Sequence, residues 1–176
     1  MTEFEKLILL NLTYNSETGH MRRILRKNRW GYYPVDEAVG TSRNGYMKTI
    51  FLGKDLAVHR AAFLFMTGSL PSRSFDVDHI NGVRHDNRWI NLRLASRSQN
   101  NMNSAAPKNN TSGHKGVHLD RRMYKKGAPK NPWFARIKVS GKTLHLGFFK
   151  TFEEAVEVRK QAEKKYFGEF NRKEVG

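Results

Sequence analysis

The fold is decided by one stretch, which reads Asp76-Val-Asp-His-Ile-Asn-Gly-Val-Arg-His-Asp-Asn-Arg-Trp-Ile-Asn-Leu-Arg-Leu-Ala-Ser-Arg-Ser-Gln-Asn-Asn-Met-Asn103. Apolar residues alternate with polar ones over 75–78 and again over 91–95, a pattern typical of short strands. Ser96 is followed three residues later by Gln99, which is the spacing of a helix capping box. The stretch therefore predicts two strands followed by a helix.

Three side chains in this stretch carry candidate chemistry, namely Asp78, His79 and Asn100. Phosphodiester hydrolysis needs a base to deprotonate water and a hard cation to neutralise charge on the phosphate. Carboxylate and amide oxygens suit Mg²⁺, which keeps several waters and takes few protein ligands. A strand–loop–strand–helix arrangement can bring the three side chains around one ion. A calcium loop starting at Asp76 is excluded, because its twelfth position holds Asn87 instead of Glu.

Together with the residues before it, this stretch closely resembles the HNH nuclease family, in its phage and intron-borne homing type. The resemblance covers residues 12–103. It is carried by Gly45-Tyr46, His59-Arg60, Thr67-Gly68, Asp78-His79-Ile80-Asn81-Gly82, Asp86-Asn87-Arg88, Asn91-Leu92-Arg93 and Asn100. The family has a ββα-metal fold and hydrolyses DNA with a divalent metal ion, so the resemblance implies both for this chain.

Roles follow from the resemblance position by position. His79 occupies the motif position of the family's general base. Asn91 occupies the position of the central asparagine, which braces the hairpin and orients the base. Asp78 and Asn100 stand at the metal ligands, for Mg²⁺ or Mn²⁺, although the position of Asn100 is often His in the family. Many members also carry a structural zinc between cysteine pairs. This chain has no cysteine, so we expect no structural zinc.

Two further residues near this stretch keep two interpretations each. His59 is either a phosphate contact near the site or a histidine of a helix surface or core. Arg93 either braces a phosphate or pairs with an acidic side chain. Taken singly, an Asp-His pair is also more often a surface or capping feature. It is the joint spacing that favours the nuclease hypothesis.

The remaining sequence predicts a second, smaller domain. Strand-like runs cover 116–122, 133–139 and 142–148, and Thr151 with Glu154 predicts the capping box of a final helix. We predict an α+β chain with an HNH nuclease domain over 1–104, its ββα-metal core at about 75–104, a linker over 105–113, and a DNA-binding domain of three antiparallel strands and one helix over 114–170. Within the first domain the pattern predicts a hairpin over 12–14 and 20–24, a strand over 45–52 and a helix over 58–67.

Charge is concentrated in the second part of the chain. The formal net charge is +16, which points to a polyanionic partner. Residues 111–150 hold ten basic residues and one acidic residue, with aromatic residues interleaved. The apolar run 7–10 is far shorter than the roughly 20 residues of a membrane span, and it follows acidic residues, unlike a secretory signal. We expect no membrane partner and a cytoplasmic protein, in the host cytoplasm or nucleoid if a phage encodes it.

Residues 112–170 resemble the plant ethylene-response-factor (APETALA-type) DNA-binding domain. The resemblance is carried by Ser112-Gly113-His114-Lys115-Gly116-Val117, Trp133-Phe134-Ala135-Arg136-Ile137-Lys138-Val139, Gly141-Lys142, Leu146-Gly147, Phe149, Thr151 and Glu153-Glu154-Ala155. In that family the three-stranded sheet enters the major groove. The DNA-binding residues implied here are Lys115, His118, Arg121, Arg122, Phe134, Arg136, Lys138, Lys142 and His145. Several arginines of the family are absent, so its base specificity does not transfer, and Arg121 and Arg122 either touch phosphates or are merely solvated.

These features predict a metal-dependent endonuclease that hydrolyses double-stranded DNA at a site chosen with the help of the second domain. One candidate active site per chain and no dimerisation pattern predict a monomer that nicks one strand, with a dimer as the alternative. A non-catalytic, sequence-specific DNA-binding protein built on the same scaffold is the competing hypothesis. An RNA-binding protein is disfavoured, because the major groove of A-form RNA excludes a sheet.

Overall fold

The chain divides into two units, residues 1–97 and 98–176, in a computed structural model that describes residues 1–120 and 130–172. The first unit contains α1 (Glu3–Asn11), β1 (Leu12–Tyr14), β2 (Met21–Asn28), β3 (Gly31–Ala38), β4 (Thr41–Arg43), β5 (Tyr46–Phe51), β6 (Lys54–Ala57), α2 (Val58–Thr67), β7 (Asp76–His79) and β8 (Leu92–Ala95). Helix α3 (Arg97–Met102) follows at the division, and the second unit contains β9 (Val117–Leu119), β10 (Trp133–Val139), β11 (Lys142–Phe149) and α4 (Phe152–Phe167). The predicted linker at 105–113 lies after the observed division, and the domain limits stay a prediction.

Three small antiparallel sheets build the first unit. Their strand orders are β1-β2-β3, β4-β5-β6 and β7-β8. Helix α2 connects two clusters of buried side chains. Ala61 and Leu64 pack with α1 and the first two sheets, whereas Ala62 and Phe63 pack against Val77 and Leu92. Because its two sides are both buried, α2 holds the β7–β8 hairpin against the rest of the unit.

Helix α1 is not among the predicted elements, although its start carries a sequence signal. Thr2 and Glu5 form a capping box, in which the Thr2 Oγ1 accepts from the Glu5 amide at 3.2 Å. The Glu5 carboxylate also accepts from the Leu70 amide at 2.8 Å. The helix is stabilised through Ile8, which is fully buried in the core.

The second unit pairs its strands in the order β11-β10-β9, with α4 against one face. Ala135 and Ile137 are buried between the sheet and the helix, as their alternation predicts. Thr151 and Glu154 form the predicted capping box, and Gly168 ends the helix. The register shifts between Ala135 and Arg136.

The predicted helix over 58–67 and the predicted strands over 45–52, 75–78, 133–139 and 142–148 are confirmed within two residues at their ends. The first hairpin differs, because its second strand continues to Asn28 and pairs with a third strand, β3. Leu144 lies opposite the buried Ile137, on the helix side of the sheet, and is 37% exposed because β11 is an edge strand. Among the described residues, no helix has the length and apolar character needed to cross a membrane.

Candidate active site

Strand β7 ends at the two central residues of the predicted site, Asp78 and His79. Both are buried, with 5% and 4% of their surface exposed. In the antiparallel pairing with β8, Asp78 lies opposite Arg93 and His79 lies opposite Leu92. Burial of two ionisable groups side by side is costly, so each must be compensated by specific partners.

The compensating partner of His79 is Asn87, a residue in the loop between β7 and β8. The His79 Nε2 lies 3.2 Å from the Asn87 Oδ1. The Asn87 Nδ2 donates to the His85 carbonyl at 3.2 Å, so its amide oxygen is the group that faces the imidazole. An oxygen can only accept here, so Nε2 carries the proton and the neutral ring has its lone pair on Nδ1.

The rings around His79 reinforce its neutral form. Burial lowers the pKa of His79 below its ordinary value, and it outweighs the hydrogen bond to Asn87 and the charge of Asp78, which raise the pKa. The imidazole of His59, from α2, meets it edge to face at 5.2 Å, and the Tyr46 ring lies 5.8 Å away. At neutral pH the ring is therefore an unprotonated base.

His59 is a core histidine of α2, which is one of its two predicted interpretations. It is 8% exposed, and its Nδ1 has no hydrogen-bond partner among the described residues. Burial, followed by the neighbouring His79, lowers the pKa of His59 to about 3. A neutral His59 adds no positive charge beside His79, and the His79 ring stays uncharged. An acidic neighbour would favour the basicity of the His79 ring more than His59 does.

Asn91 braces the loop that follows β7, through both ends of its side chain. Its Oδ1 accepts from the Asn81 amide at 2.9 Å, and its Nδ2 donates to the Asp86 carbonyl at 2.8 Å. Its own carbonyl accepts from the Ile80 amide at 2.9 Å. These bonds clamp the two ends of residues 80–86, and the chain then continues to Asn87, which contacts the base.

A charged pair stabilises the same loop from its outer side. The carboxylate of Asp86 accepts from the Arg88 Nε and Nη2 at 2.8 and 2.6 Å, and from the Asn81 Nδ2 at 2.8 Å. Arg88, opposed by partial burial, lowers the pKa of Asp86 to about 2. The carboxylate thus stays ionised down to strongly acidic pH.

The turn before β2 holds the loop from a third direction. Gly19 has φ +73°, and a Cβ there would lie 2.5 Å from the Arg88 amide nitrogen and the Asn87 carbonyl carbon. The Tyr14 hydroxyl donates to the Asn87 carbonyl at 2.7 Å. Glycine is required at this close approach, and both contacts fix the backbone of Asn87.

The carboxylate of Asp78 is held by Arg93, whose Nε and Nη2 donate to its Oδ2 at 2.9 and 2.7 Å. Of the two predicted interpretations of Arg93, the structure has the ion pair with an acid. Asn100 lies on α3, which follows β8 directly, and is half-buried. Across the described residues, no three His, Cys, Asp or Glu side chains cluster as metal ligands. The Asp78 carboxylate is an oxygen donor of the kind that suits a hard cation, which keeps most of its waters.

On the second unit, the sheet face opposite α4 carries a continuous group of rings, which we call the outer face cluster: His118, Phe134, His145 and Phe148. Phe134 lies 5.2 Å from His118, 6.0 Å from His145 with the two rings stacked, and 5.9 Å from Phe148. The exposed Arg136 lies beside them, its Nε 3.2 Å from the His118 Nε2. Partial burial and Arg136 lower the pKa of His118, so that its ring accepts from the guanidinium.

The other predicted DNA-binding residues differ in their surroundings. Lys138 and Lys142 are exposed on the same sheet. Lys115 was expected to face DNA, but its Nζ donates to the Asn101 carbonyl at 2.7 Å and to the Ser104 Oγ at 2.8 Å. Three oxygen atoms of Asn101 and Ser104 accept hydrogen bonds from this ammonium. Lys115 therefore fixes the chain at the start of its own unit. Arg121 and Arg122 lie outside the described residues.

Sequence reasoning missed the roles of Asn87, Tyr46 and Asp86. All three lie within the family motifs quoted above, but the motifs alone predict no role for any of them. The Asp86-Asn87-Arg88 run was the available signal, since two short polar side chains beside a cation are typical of a loop held by side-chain hydrogen bonds.

Comparisons with known proteins give a family match over the segment that contains these residues. Residues 56–102 match the family model described as HNH endonuclease, which spans Asp78, His79, Asn91 and Asn100. An uncharacterized HNH endonuclease of Acanthamoeba polyphaga mimivirus is 32% identical over 130 residues, covering 73% of this chain and 62% of the relative. The chain thus spans about three fifths of that relative's length. No solved structure gives a significant match. The predicted likeness to HNH endonucleases is confirmed for residues 56–102, the segment that builds the β7–β8 site.

Proposed function

We propose that this protein is a metal-dependent DNA endonuclease in which His79 is the general base. The observation that carries the proposal is the buried His79, whose Nε2 is held by the Asn87 amide oxygen while burial lowers its pKa. A base must be unprotonated and fixed in orientation before it can take a proton from water. The match of residues 56–102 to HNH endonucleases supports the same reaction.

In this mechanism His79 Nδ1 takes the proton of the attacking water, and Nε2 keeps its hydrogen bond to Asn87 throughout. As the ring becomes positively charged, the Asn87 oxygen and the neighbouring carboxylate of Asp78 stabilise the imidazolium. Asn91 acts as a positioning residue, because it clamps the loop that carries Asn87. The water oxygen forms the new bond to phosphorus while the bond to the leaving oxygen breaks.

We further propose that Asp78 and Asn100 hold Mg²⁺ or Mn²⁺. The assignment comes from the family resemblance, and the oxygen-only donor set supports it. When bound, such an ion supplies positive charge to the phosphate and to the leaving oxygen. Arg93 balances the charge of Asp78 within the protein, so the guanidinium and the cation compete for the same carboxylate.

The second unit is proposed to bind DNA through its outer face cluster and through Arg136, Lys138 and Lys142. Exposed cations reach phosphates, and side chains on a sheet face reach base edges. The resemblance to the ethylene-response-factor domain supports this assignment, as does the positive charge of residues 111–150. Together the two units would form a homing-type nuclease that acts as a monomer and nicks one strand.

The proposal is tested with supercoiled plasmid DNA, incubated with Mg²⁺, with Mn²⁺ or with a chelator. We expect open circular DNA in the presence of either metal and intact plasmid with the chelator. His79→Ala should abolish cleavage, whereas His85→Ala, which changes an exposed histidine of the same loop, should retain it. Linear DNA appearing without an open circular precursor would contradict the nicking monomer.

A DNA-binding assay in the chelator separates the competing function. The non-catalytic hypothesis predicts binding but no cleavage under any metal condition. Retention of full cleavage by His79→Ala would contradict the role of the base itself.

A further inference from the structure

The hairpin formed by β2 and β3 extends well beyond the core of the first unit. Met21 anchors its base at 2% exposure, while every residue from Arg26 to Tyr33 except Gly31 is exposed. The strands pair up to Asn28 and Gly31, leaving a two-residue turn of Arg29 and Trp30. At about 3.3 Å per residue, the stretch from Arg26 to the turn reaches roughly 10 Å from the last half-buried residues.

The tip of this hairpin exposes aromatic rings that no core cluster uses. Trp30 is 81% exposed and Tyr32 is 52% exposed. Turn geometry does not require an aromatic residue there, because tight hairpin turns favour Asn and Gly. The turn at Asn44-Gly45 in the same unit follows that preference, with φ of +54° and +81°. Leaving an indole in water forfeits the burial that normally stabilises it, so the folding of the hairpin does not explain Trp30.

The charges of the hairpin are sorted along its length. Its two acidic residues lie near the base, where Asp36 pairs with Arg22 and Glu37 pairs with Arg26. Lys27 and Arg29, at the tip, pair with no carboxylate of the described residues. The Arg29 guanidinium lies 4.3 Å from the Trp30 ring centroid, and the Lys27 Nζ lies 5.7 Å from the Tyr32 centroid. The tip therefore presents cations and aromatic rings as one surface, with no negative charge.

We infer that the hairpin over residues 21–38 is a DNA-binding β-ribbon of the first unit, with Trp30 contacting bases and Lys27 and Arg29 contacting the flanking phosphates of a duplex. A two-stranded ribbon fits the major groove, about 12 Å wide. Cations at its tip complement the phosphates, and an indole supplies apolar contact to the base edges that face the groove. The inference rests on DNA as the proposed substrate. It adds to that proposal a DNA contact on the same unit as His79, separate from the outer face cluster.

Tryptophan fluorescence of the full chain tests the inference, with a mixed-sequence duplex of about 30 base pairs in a chelator. The other two tryptophans pack edge to face, Trp89 on Phe63 at 4.7 Å and Trp133 on Phe152 at 5.0 Å, so Trp30 is the exposed reporter. We expect the duplex to quench the emission. Trp30→Phe should remove most of that quenching while preserving binding, because a phenyl ring retains apolar contact.

Affinity variants complete the test. Trp30→Ala should weaken duplex binding about tenfold, because it removes the apolar contact to base edges in the groove. Arg29→Ala should reduce the salt slope of binding by about 0.9, the value for one phosphate contact. Lys6→Ala removes the same charge from α1, where Lys6 pairs with Glu3, and should leave the slope unchanged. Wild-type affinity in Trp30→Ala, or equal slopes for Arg29→Ala and Lys6→Ala, would overturn the inference.

Two further fluorescence measurements test whether the hairpin binds a different partner. Quenching by single-stranded DNA but not by the duplex would overturn the ribbon, as would a blue shift on phosphatidylserine vesicles with no response to DNA. Because binding is measured without metal, the outcomes stay separate from the nuclease proposal. If DNA quenches the Trp30 emission but is never cleaved, the nuclease proposal is contradicted and the β-ribbon inference stands. If DNA is cleaved without quenching Trp30, only the β-ribbon inference is contradicted.

Discussion

Around the β7–β8 loop, His79, Asn87 and Asn91 are buried and held by hydrogen bonds, whereas on the outer face of the β9–β11 sheet the rings are half-buried or exposed and the cations are exposed. His79 is 4% exposed, while Phe148 is 47% exposed. A base must hold one protonation state and one orientation, which burial and fixed partners provide. A surface that meets DNA must instead keep its cations available to phosphates. Substitutions should therefore cost activity and stability at the loop, and affinity at the outer face.

The largest expected effect is at the base itself. His79→Ala should lower single-turnover cleavage by about 10²–10⁴, the usual contribution of a general base. DNA affinity in a chelator should stay within about threefold, because phosphate contacts elsewhere hold the DNA. The measurements are plasmid cleavage with Mg²⁺ and a binding titration without it. A parallel loss of affinity would show that the buried loop also binds DNA and would break the contrast.

Arg93→Ala should destabilise the protein by about 3–5 kcal/mol, because it leaves Asp78 as a buried charge without its compensating guanidinium. The free energy of unfolding from urea titration at pH 7 measures this loss. Mg²⁺ should restore part of it, since the cation supplies positive charge at the same carboxylate.

The matched control is Arg22→Ala, whose ion pair with Asp36 is exposed and should contribute less than about 1 kcal/mol. Equal losses of unfolding free energy in Arg93→Ala and Arg22→Ala would mean that burial does not make the Asp78–Arg93 pair more stabilising than the exposed Arg22–Asp36 pair.

Arg136→Ala should change sequence choice rather than stability. A lost base contact costs about 1–3 kcal/mol of discrimination at one base pair, while an exposed substitution changes unfolding by no more than about 0.5 kcal/mol. Selection of bound sites from a random DNA library, followed by titration of single-base variants, measures the effect. Lys164→Ala, on the exposed side of α4, is the control and should leave site choice intact. If Arg136→Ala also retains it, the bases are recognised elsewhere in the chain.

Asp86→Asn should destabilise the loop in a pH-dependent way. The folded pKa of about 2 lies below the ordinary 3.8, so the ionised carboxylate stabilises the fold above pH 3.8 and this contribution is lost as the pH falls through 2. After allowance for solvent at Arg88, the loss at pH 7 should be about 1–2 kcal/mol. Urea titrations at pH 7 and pH 2.5 should show the difference between wild type and variant shrinking at the lower pH. Asp36→Asn, at an exposed pair, should show little difference at either pH.

The smallest effect belongs to a single exposed cation. Lys142→Ala should weaken binding to all sequences alike and reduce the salt slope by about 0.9. Binding titrations between 50 and about 200 mM salt measure the slope. A sequence-dependent loss would place Lys142 among the base contacts.

Local pattern was sufficient wherever neighbouring residues decide the structure. The helix that starts at Thr151 follows from its capping box, and the strand over 133–139 from its alternation, because both depend on contacts within a few residues. The Asp78-His79 pair at a strand end was predictable for the same reason. The Thr2–Glu5 capping box is an equally local signal for the start of α1.

The environment of His79 depended on contacts that no local pattern contains. Tyr46 lies on β5 and His59 lies on α2. Their rings contact His79 only because α2 is buried on two sides and packs the β7–β8 hairpin close to β5. The partner of the base, Asn87, was equally hidden, since any of several loop amides could have closed on the ring.

By itself, the sequence determined the strands and helices of the 76–103 stretch, the helix of the second unit, the positive charge and the likeness to HNH endonucleases. Only the tertiary structure decided that Arg93 pairs with Asp78, that Lys115 is held by Asn101 and Ser104, and that Trp30 stands exposed at the tip of a long hairpin. The physical reason is that periodicity and capping are short-range properties of the backbone. Charge compensation and burial are instead set by whichever groups the packed chain brings within hydrogen-bond distance.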